Sequence, residues 1–169
     1  EISLGYEKAM RERNRLLKDQ VQDAHWYRAL ETQMGDLGAR LHANRLAAVA
    51  QLRAAQDAAE TSFPTAALEL KNEDLGVLGM AENLTHALGD HRGRDMAAGR
   101  SLIGPHRSDL LALYASKNVL AKECSTGEQK ALLVSLILAN ARALKDDFGA
   151  PPLLLLDEIA AHLDANRRA

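Results

Sequence analysis

The chain has 169 residues, of which 21 are Lys or Arg, 23 are Asp or Glu, and 47% are hydrophobic. This composition is typical of a folded globular protein and excludes a wholly disordered one. The net charge of −2 gives no overall basic field, so any contact with nucleic acid would have to come from local groups of arginines. A single cysteine, Cys124, excludes an internal disulfide and fits the reducing cytoplasm.

The chain opens with Glu-Ile-Ser rather than Met and shows no signal-peptide pattern. Its apolar runs fall well short of the ~20 residues that a membrane-spanning helix requires. We therefore expect a piece of a longer cytoplasmic protein, with one domain or a domain plus an appendage.

Residues 1–62 are predicted to form a helical hairpin, or coiled-coil arm. A first helix would carry one stripe of apolar side chains and an arginine, spaced by three and four residues: Tyr6, Met10, Arg13 and Leu17. A second helix shows a similar stripe at Leu30, Met34, Leu37, Leu41, Ala48 and Leu52. Periodicity alone is equally consistent with two packed helices of an ordinary bundle.

Two glycines, Gly35 and Gly38, fall inside the second predicted helix. Each costs about 1 kcal/mol relative to alanine in a helix interior. We therefore expect a bend or a break at this point.

Phe63-Pro64 ends the arm, because proline lacks a backbone donor and restricts the residue before it. Residues 63–169 are predicted to form a second domain, which makes the whole chain mixed α/β. The expected elements are strands at 66–71, 108–115 and 119–120 with a turn at 116–118, helices at 80–88 and from 126 to about 146, a loop at 89–104, and a strand at 153–156. The last strand consists of four leucines bounded by helix breakers, which is typical of a strand buried on both faces.

The sequence ECSTGEQKALLVSLILANA places polar residues directly before an apolar helix. Ser125 lies three residues before Glu128, the spacing of a capping box, and this alone explains a well-capped core helix. Gly127 in the first turn is not explained by capping. A glycine there permits another body to approach the free amides at the positive end of the helix, an arrangement that suits a phosphate.

Asp157 and Glu158 follow the four leucines directly. In open α/β sheets ligands bind at the carboxyl ends of strands, where an aspartate can hold Mg²⁺ and a second carboxylate can activate water. Two acidic residues at a helix N-terminus would also favour the helix dipole, so the pair by itself leaves both interpretations open. Leu163-Asp164, six residues further on, makes the pattern more specific.

Taken in order, these stretches resemble the ABC-type ATPases and, within their SMC-like branch, the RecF family. STGEQ resembles the signature motif, LLLLDE the Walker B strand with its catalytic glutamate, and HLD the D-loop. Residues 6–9 together with 13–18 resemble the start of that family's arm, and GPHRSDL at 104–110 resembles a segment distinctive of it. The resemblance covers nearly the whole chain.

The resemblance implies a nucleotide sandwiched between two subunits of an ATP-dependent homodimer. Glu158 would be the general base, and Asp157 would contribute to the Mg²⁺ shell through water. Cofactor-binding roles would fall to Ser125, Thr126, Gly127, Glu128, Gln129 and Asp164. Ser125 and the amides around Gly127 would cap the γ-phosphate held by the opposite subunit, and Asp164 would cross the dimer interface.

The resemblance also implies a DNA-binding ATPase of recombinational repair and replication. In the family, ATP-driven dimerisation on DNA, with RecO and RecR as partners, assists the loading of RecA at gaps or junctions. Two alternatives remain: a non-enzymatic coiled-coil interaction module, and the nucleotide-binding subunit of another ABC-type ATPase such as a transporter.

One expected part is missing, because no G-x-x-x-x-G-K-[ST] motif occurs in the chain. The loop and lysine that cradle the nucleotide phosphates would therefore lie upstream, in a Walker A lobe. We expect the 169-residue chain alone to be inactive as an ATPase.

Two groups of arginines could contact DNA phosphates. Arg11, Arg13 and Arg15 would lie near the root of the arm. The second group, in the central loop region, is Arg92, Arg94, Arg100 and Arg107. At a net charge of −2, arginines that are solvated and paired with nearby acids are the alternative.

Overall fold

The computed structural model describes residues 1–72, 80–150 and 152–155, without the side chains of residues 146–148. Its helices are α1 (Ile2–Lys18), α2 (Ala24–Asp57), α3 (Ala81–Asp90), α4 (Arg92–Ala98) and α5 (Thr126–Phe148). The strands are β1 (Ala66–Lys71), β2 (Asp109–Tyr114) and β3 (Val119–Leu120), and short 3-10 turns span Pro105–Arg107 and Ala121–Glu123. The predicted mixed α/β class is confirmed.

The chain divides into two compact units, each discontinuous in sequence. The first unit comprises Glu1–Leu46 and Lys71–Asp109, and the second comprises Ala47–Leu70 and the described residues from Leu110 onward. The predicted division into an arm at 1–62 and a head at 63–169 stays a prediction about the intact protein.

The first unit has a core built from α1, α2 and α3. The predicted stripe on α1 is confirmed, since Tyr6, Arg13 and Leu17 expose 1% or less of their surface. The start of the stripe on α2 is also buried, with Leu30 and Met34 in the same core cluster. The further buried members of this cluster are Ala9, Leu16, Tyr27, Leu84, Leu88 and Ile103.

A break at Gly35 and Gly38 is wrong, because α2 runs unbroken through both positions, while the expected bend stays a prediction. The glycines serve helix packing instead. A Cβ at Gly35 would lie 2.0 Å from Thr85 Oγ1, and one at Gly38 would lie 2.6 Å from Leu84 Cδ2, so α3 approaches α2 at its glycine positions. Thr85 Oγ1 donates to the carbonyl of Ala81 at 2.9 Å, which turns its hydroxyl hydrogen back onto its own helix.

The loop expected at 89–104 is also wrong in part, because α4 forms within it. The helix ends at Gly99, which adopts the left-handed conformation with φ of 65°. Its one buried residue is Asp95, which exposes none of its surface. A seven-residue helix with an internal glycine has little stability of its own. The hydrogen bonds of Asp95 and the packing of Met96 against the core of the first unit therefore stabilise it.

The second unit contains most of the small sheet, whose strand order is β1-β2-β3. β1 has the bounds predicted from the sequence, and β2 and β3 pair antiparallel with Tyr114 opposite Val119. The turn between them contains Asn118 with φ of 53°, a conformation that asparagine tolerates. The buried core of this unit is formed by Val49, Ala66, Leu68, Tyr114 and Leu132.

The strand predicted at residues 153–156 does not form in the described part, residues 152–155. Leu153 and Leu155 expose 86% and 88% of their surface. A strand of leucines is stable only when neighbouring strands and helices cover both of its faces, and the described sheet consists of β1, β2 and β3. Among the described residues, no helix is long and apolar enough to cross a membrane.

Candidate functional site at the N-terminus of α5

The predicted capping box at the start of α5 is confirmed. Ser125 Oγ accepts from the amide of Glu128 at 3.4 Å, and Glu128 Oε2 accepts from the amide of Ser125 at 2.9 Å. The Ser125 hydroxyl also donates to Glu128 Oε2 at 2.9 Å. The side chain of Ser125 is thus held in one orientation at the helix start.

The segment that follows the cap faces solvent. Ser125, Thr126 and Gly127 are exposed, and a Cβ built on Gly127 would meet nothing within 4 Å. The first-turn amides that capping leaves free carry the positive end of the helix dipole. The free amides can donate hydrogen bonds to an anion, and the open space lets such an anion approach the helix start.

Glu128 is paired with a cation from outside its own helix. Lys117, in the turn between β2 and β3, makes an ion pair with Glu128 Oε1. The hydrogen bond from Lys117 is the main reason that the pKa of the Glu128 carboxyl is lowered to about 2, and the hydrogen bonds from Ser125 contribute less. The same contact raises the pKa of Lys117. Both groups are therefore charged throughout the physiological range. Beyond the predicted turn, no residue pattern had indicated this pair.

Gln129 fixes the chain before the helix rather than facing solvent. Its Nε2 donates to the carbonyl of Cys124 at 3.1 Å and to that of Lys122 at 3.3 Å. The Cys124 thiol contacts the carbonyl of Leu120 at 3.5 Å. These bonds tie the 3-10 turn to the first turn of α5, so the backbone that carries Ser125 is anchored on both sides.

The acidic half of the predicted site lies outside the described residues. Asp157, Glu158 and Asp164 fall in this part, so their assigned roles stay predictions. No group of three or more His, Cys, Asp or Glu side chains that could hold a metal ion occurs in the described portion of the chain.

Of the four arginines predicted to contact DNA, three are exposed: Arg94, Arg100 and Arg107. Arg92 is instead partly buried, and its Nη2 donates to Glu31 Oε2 at 2.6 Å. The guanidinium also lies 4.9 Å from the centre of the Tyr27 ring. These contacts give Arg92 a structural role, while phosphate contacts by the group stay a prediction.

The predicted basic patch on α1 is wrong at Arg13. Arg11 and Arg15 are exposed, but Arg13 exposes none of its surface and Nη1 donates to Asp95 Oδ2 at 2.6 Å. A charge this deeply buried needs complete pairing, and further acceptors complete it. They are Glu31 Oε1 at 3.2 Å, Ser101 Oγ at 2.8 Å and the carbonyl of Leu88 at 2.8 Å. Only the helical spacing of Arg13 with Tyr6 and Leu17 signalled this burial.

The GPHRSDL segment has a structural role in the first unit. Gly104 adopts φ of 132°, and a Cβ there would lie 2.4 Å from the Tyr6 hydroxyl. That hydroxyl lies 2.9 Å from Nδ1 of His106, whose Nε2 lies 3.2 Å from the carbonyl of Ser101. Because a carbonyl only accepts, Nε2 carries the ring proton and Nδ1 accepts from Tyr6. Burial lowers the pKa of His106 and raises that of Tyr6.

Comparison with known proteins gives close relatives and a matching fold. The chain is 49% identical over 174 residues to the DNA replication and repair protein RecF of Brucella abortus (strain 2308), a match that covers 98% of the chain and 45% of that protein. RecF of Mesorhizobium japonicum is 47% identical, over 99% of the chain and 46% of its own length. No protein-family model matches the chain.

A solved structure described as the recombination mediator protein RecF-ATP in the RecFOR pathway matches with a TM-score of 0.78. It is 21% identical and covers 99% of this chain and 47% of that one, so this likeness concerns the fold. A second structure, of RecF with ATPrS, matches equally well, with a TM-score of 0.78. The chain is therefore homologous to RecF over almost its whole length and spans a little under half of the RecF sequence.

Proposed function

We propose that this chain is the signature-motif part of an ATP-dependent DNA-binding protein of recombinational repair and replication. Within that protein, the N-terminus of α5 acts in trans. It contacts the terminal phosphate of a nucleotide that the other subunit of a homodimer holds. The observation that carries the proposal is the exposed, capped start of α5, with open space in front of Gly127, in a chain homologous to RecF.

The described residues fit a phosphate. The free amides of the first turn are donors, and the exposed Thr126 and Gly127 leave room for a partner's ligand. Thr126 would add a hydroxyl, and Gln129 would keep the backbone in place through its two carbonyl contacts. The bound nucleotide supplies the phosphoanhydride bond, and the chain's own part is to orient and bind its terminal phosphate.

The proposed Mg²⁺ ligand, general base and interface residue all lie outside the described part of the chain. Asp157 would hold Mg²⁺ through water, Glu158 would take a proton from the attacking water, and Asp164 would contact the partner subunit. Asp, Glu and water are the ligands and bases that suit Mg²⁺-dependent phosphate chemistry. A Walker A loop supplied by the upstream part of the intact protein would cradle the other phosphates.

The proposed partners follow from the same homology. The intact protein would bind DNA at gaps or junctions between single and double strands, and RecR, RecO and, indirectly, RecA would act with it. The exposed Arg94, Arg100 and Arg107 are the described candidates for phosphate contacts, and Arg92 is the weaker one because Glu31 already pairs with it. Phosphate contacts would make DNA binding fall steeply with added salt.

The test of the trans role uses the intact protein with Ser125→Arg, whose side chain would fill the space in front of the helix. We expect ATP-dependent dimerisation, measured by analytical ultracentrifugation, to be lost while each monomer still binds ATP. Ser3→Arg, at an exposed position on α1, is the matched control. If the Ser125 variant dimerised with ATP as the wild type does, the α5 N-terminus would not be part of the interface and the proposal would fail.

A further inference from the structure

A lysine outside the signature segment lies beside it. Lys117 belongs to the tight turn between β2 and β3, in which the amides of Lys117 and Asn118 both donate to the carbonyl of Tyr114, at 3.1 and 2.8 Å. Its ammonium lies 5.4 Å from the centre of the Tyr114 ring. The turn and the ring therefore limit the positions that this side chain can adopt.

A continuous chain of polar contacts connects this lysine to Ser125. Lys117 Nζ pairs with Glu128 Oε1, and Glu128 Oε2 accepts from both the amide and the hydroxyl of Ser125 at 2.9 Å. Each oxygen of one carboxylate therefore has a separate partner. The position of the Glu128 carboxylate, and with it the direction of the Ser125 hydroxyl, depends on where Lys117 lies.

The negative charge of Glu128 lies close to the place where the phosphate would bind. A carboxylate next to Ser125 would repel an incoming phosphate, because two like charges a few ångströms apart interact unfavourably even when solvent is near. The Lys117 ammonium compensates this charge directly. The pair is exposed, with 53% of the Lys117 side chain accessible, and exposed pairs contribute little to folding stability.

We propose that Lys117 is a positioning residue for the signature motif: it holds Glu128, and through it the Ser125 cap that orients the free first-turn amides, and it neutralises the carboxylate that would otherwise repel the partner's nucleotide phosphate. This inference rests on the proposed trans role of the α5 N-terminus. Lys117 does not itself contact the phosphate in this scheme. Its removal therefore weakens the contact between subunits without changing nucleotide binding within one subunit.

The experiment compares Lys117→Met, Lys117→Arg and Lys130→Met in the intact protein. Lys130 is the matched control, because it is exposed in the second turn of α5 and makes no ion pair with the described residues. Three quantities are measured: ATP affinity of the monomer, the dissociation constant of the ATP-dependent dimer, and the thermal midpoint. Ser125→Arg is measured alongside as the test of the underlying site.

For Lys117→Met we expect the dimer dissociation constant to rise on the order of tenfold, since the symmetric dimer contains the contact twice. Monomer ATP affinity and the thermal midpoint should match the wild type. Lys117→Arg should restore most of the dimer affinity, because arginine also pairs with a carboxylate. Lys130→Met should behave as the wild type.

The outcomes separate the two ideas. If Ser125→Arg abolishes dimerisation and Lys117→Met leaves it unchanged, the positioning role is wrong and the trans role stands. If neither variant affects dimerisation, both are wrong. If Lys117→Met and Lys130→Met weaken the dimer equally, general charge loss is the cause and the positioning role is overturned. A fall in thermal midpoint that Lys117→Arg does not rescue would indicate a purely structural role and would also overturn it.

Discussion

Arg13 Nη1 donates a 2.6 Å hydrogen bond to Asp95 Oδ2, and neither side chain exposes any surface. The two residues are 82 positions apart and connect α1 to α4. Asp95 Oδ1 also accepts from the amide of Leu102 at 3.0 Å, which fixes the chain beyond the helix. One ion pair thus organises the segment that was expected to be a loop.

Removal of Arg13 should destabilise the protein strongly. Arg13→Met leaves Asp95 and Glu31 in the interior without their shared partner, and breaking a buried pair in this way costs about 3–5 kcal/mol. Urea unfolding followed by circular dichroism measures this loss. Arg15→Met is the control, since Arg15 is exposed and lies 3.8 Å from Asp19, so its loss should be below about 1 kcal/mol. Equal losses for both variants would contradict the buried network.

Two glycines should respond oppositely to alanine. Gly35→Ala places a Cβ 2.0 Å from Thr85 Oγ1 and 2.7 Å from the carbonyl of Ala81, and we expect a net loss of about 1–3 kcal/mol in unfolding free energy. Gly93→Ala meets nothing within 4 Å in α4 and should gain about 0.5–1 kcal/mol through helix propensity. A gain at Gly35 would show that α2 and α3 are not in close contact there.

The capping box should make a pH-dependent contribution to stability. The folded-state pKa of Glu128 is about 2, below its ordinary value of 4.5, mainly because of Lys117. A lowered pKa means that the stabilisation is fully present above pH 4.5 and is lost as the pH falls towards 2. The stability difference between wild type and Glu128→Gln should therefore shrink over this range.

Hydrolysis should require the intact protein. The purified 169-residue chain carries no G-x-x-x-x-G-K-[ST] sequence, so we expect no Mg²⁺-dependent ATP turnover above a buffer blank in a coupled phosphate-release assay. Steady turnover that follows the amount of chain added would show that the phosphates are held by residues other than a Walker A loop.

Glu158 should be required for chemistry rather than for assembly. In the intact protein, Glu158→Gln removes the proposed general base while keeping the size of the side chain, so hydrolysis should slow by about 10²-fold or more. The nucleotide-bound dimer should accumulate, as seen by size-exclusion chromatography with light scattering. Glu82→Gln, at an exposed position on α3, is the control. If the Glu158 variant hydrolysed ATP at the wild-type rate, Glu158 would not be the general base.

Local patterns were sufficient for several elements. The bounds of β1, the β2–β3 turn, the start of α5 at Thr126 and its capping box all follow from residues close together in the chain. Hydrogen bonds across three or four residues decide the turn and the cap, and a short apolar run between helix breakers indicates β1, so a short stretch of sequence is enough to predict them.

Contacts between distant residues decided the rest. The burial of Arg13 depends on Asp95, the role of Gly35 depends on Thr85 on another helix, and the pairing of Glu128 depends on a lysine in the β-turn. No local pattern gives these partners, because their proximity results from packing after the elements form. The four leucines at 153–156 show the same dependence on distant residues. Their apolar pattern predicts a buried strand, but a strand is buried only where other elements cover its faces.

The sequence by itself determined the helices and strands of the hairpin and sheet, the cap of α5 and the motifs that resemble those of the RecF family. Only the tertiary structure decided which charged residues stabilise the interior and which ones face the candidate phosphate site. The physical reason is that a charge is stable inside a protein only with matched partners, and those partners are brought together by the fold rather than by their order in the chain.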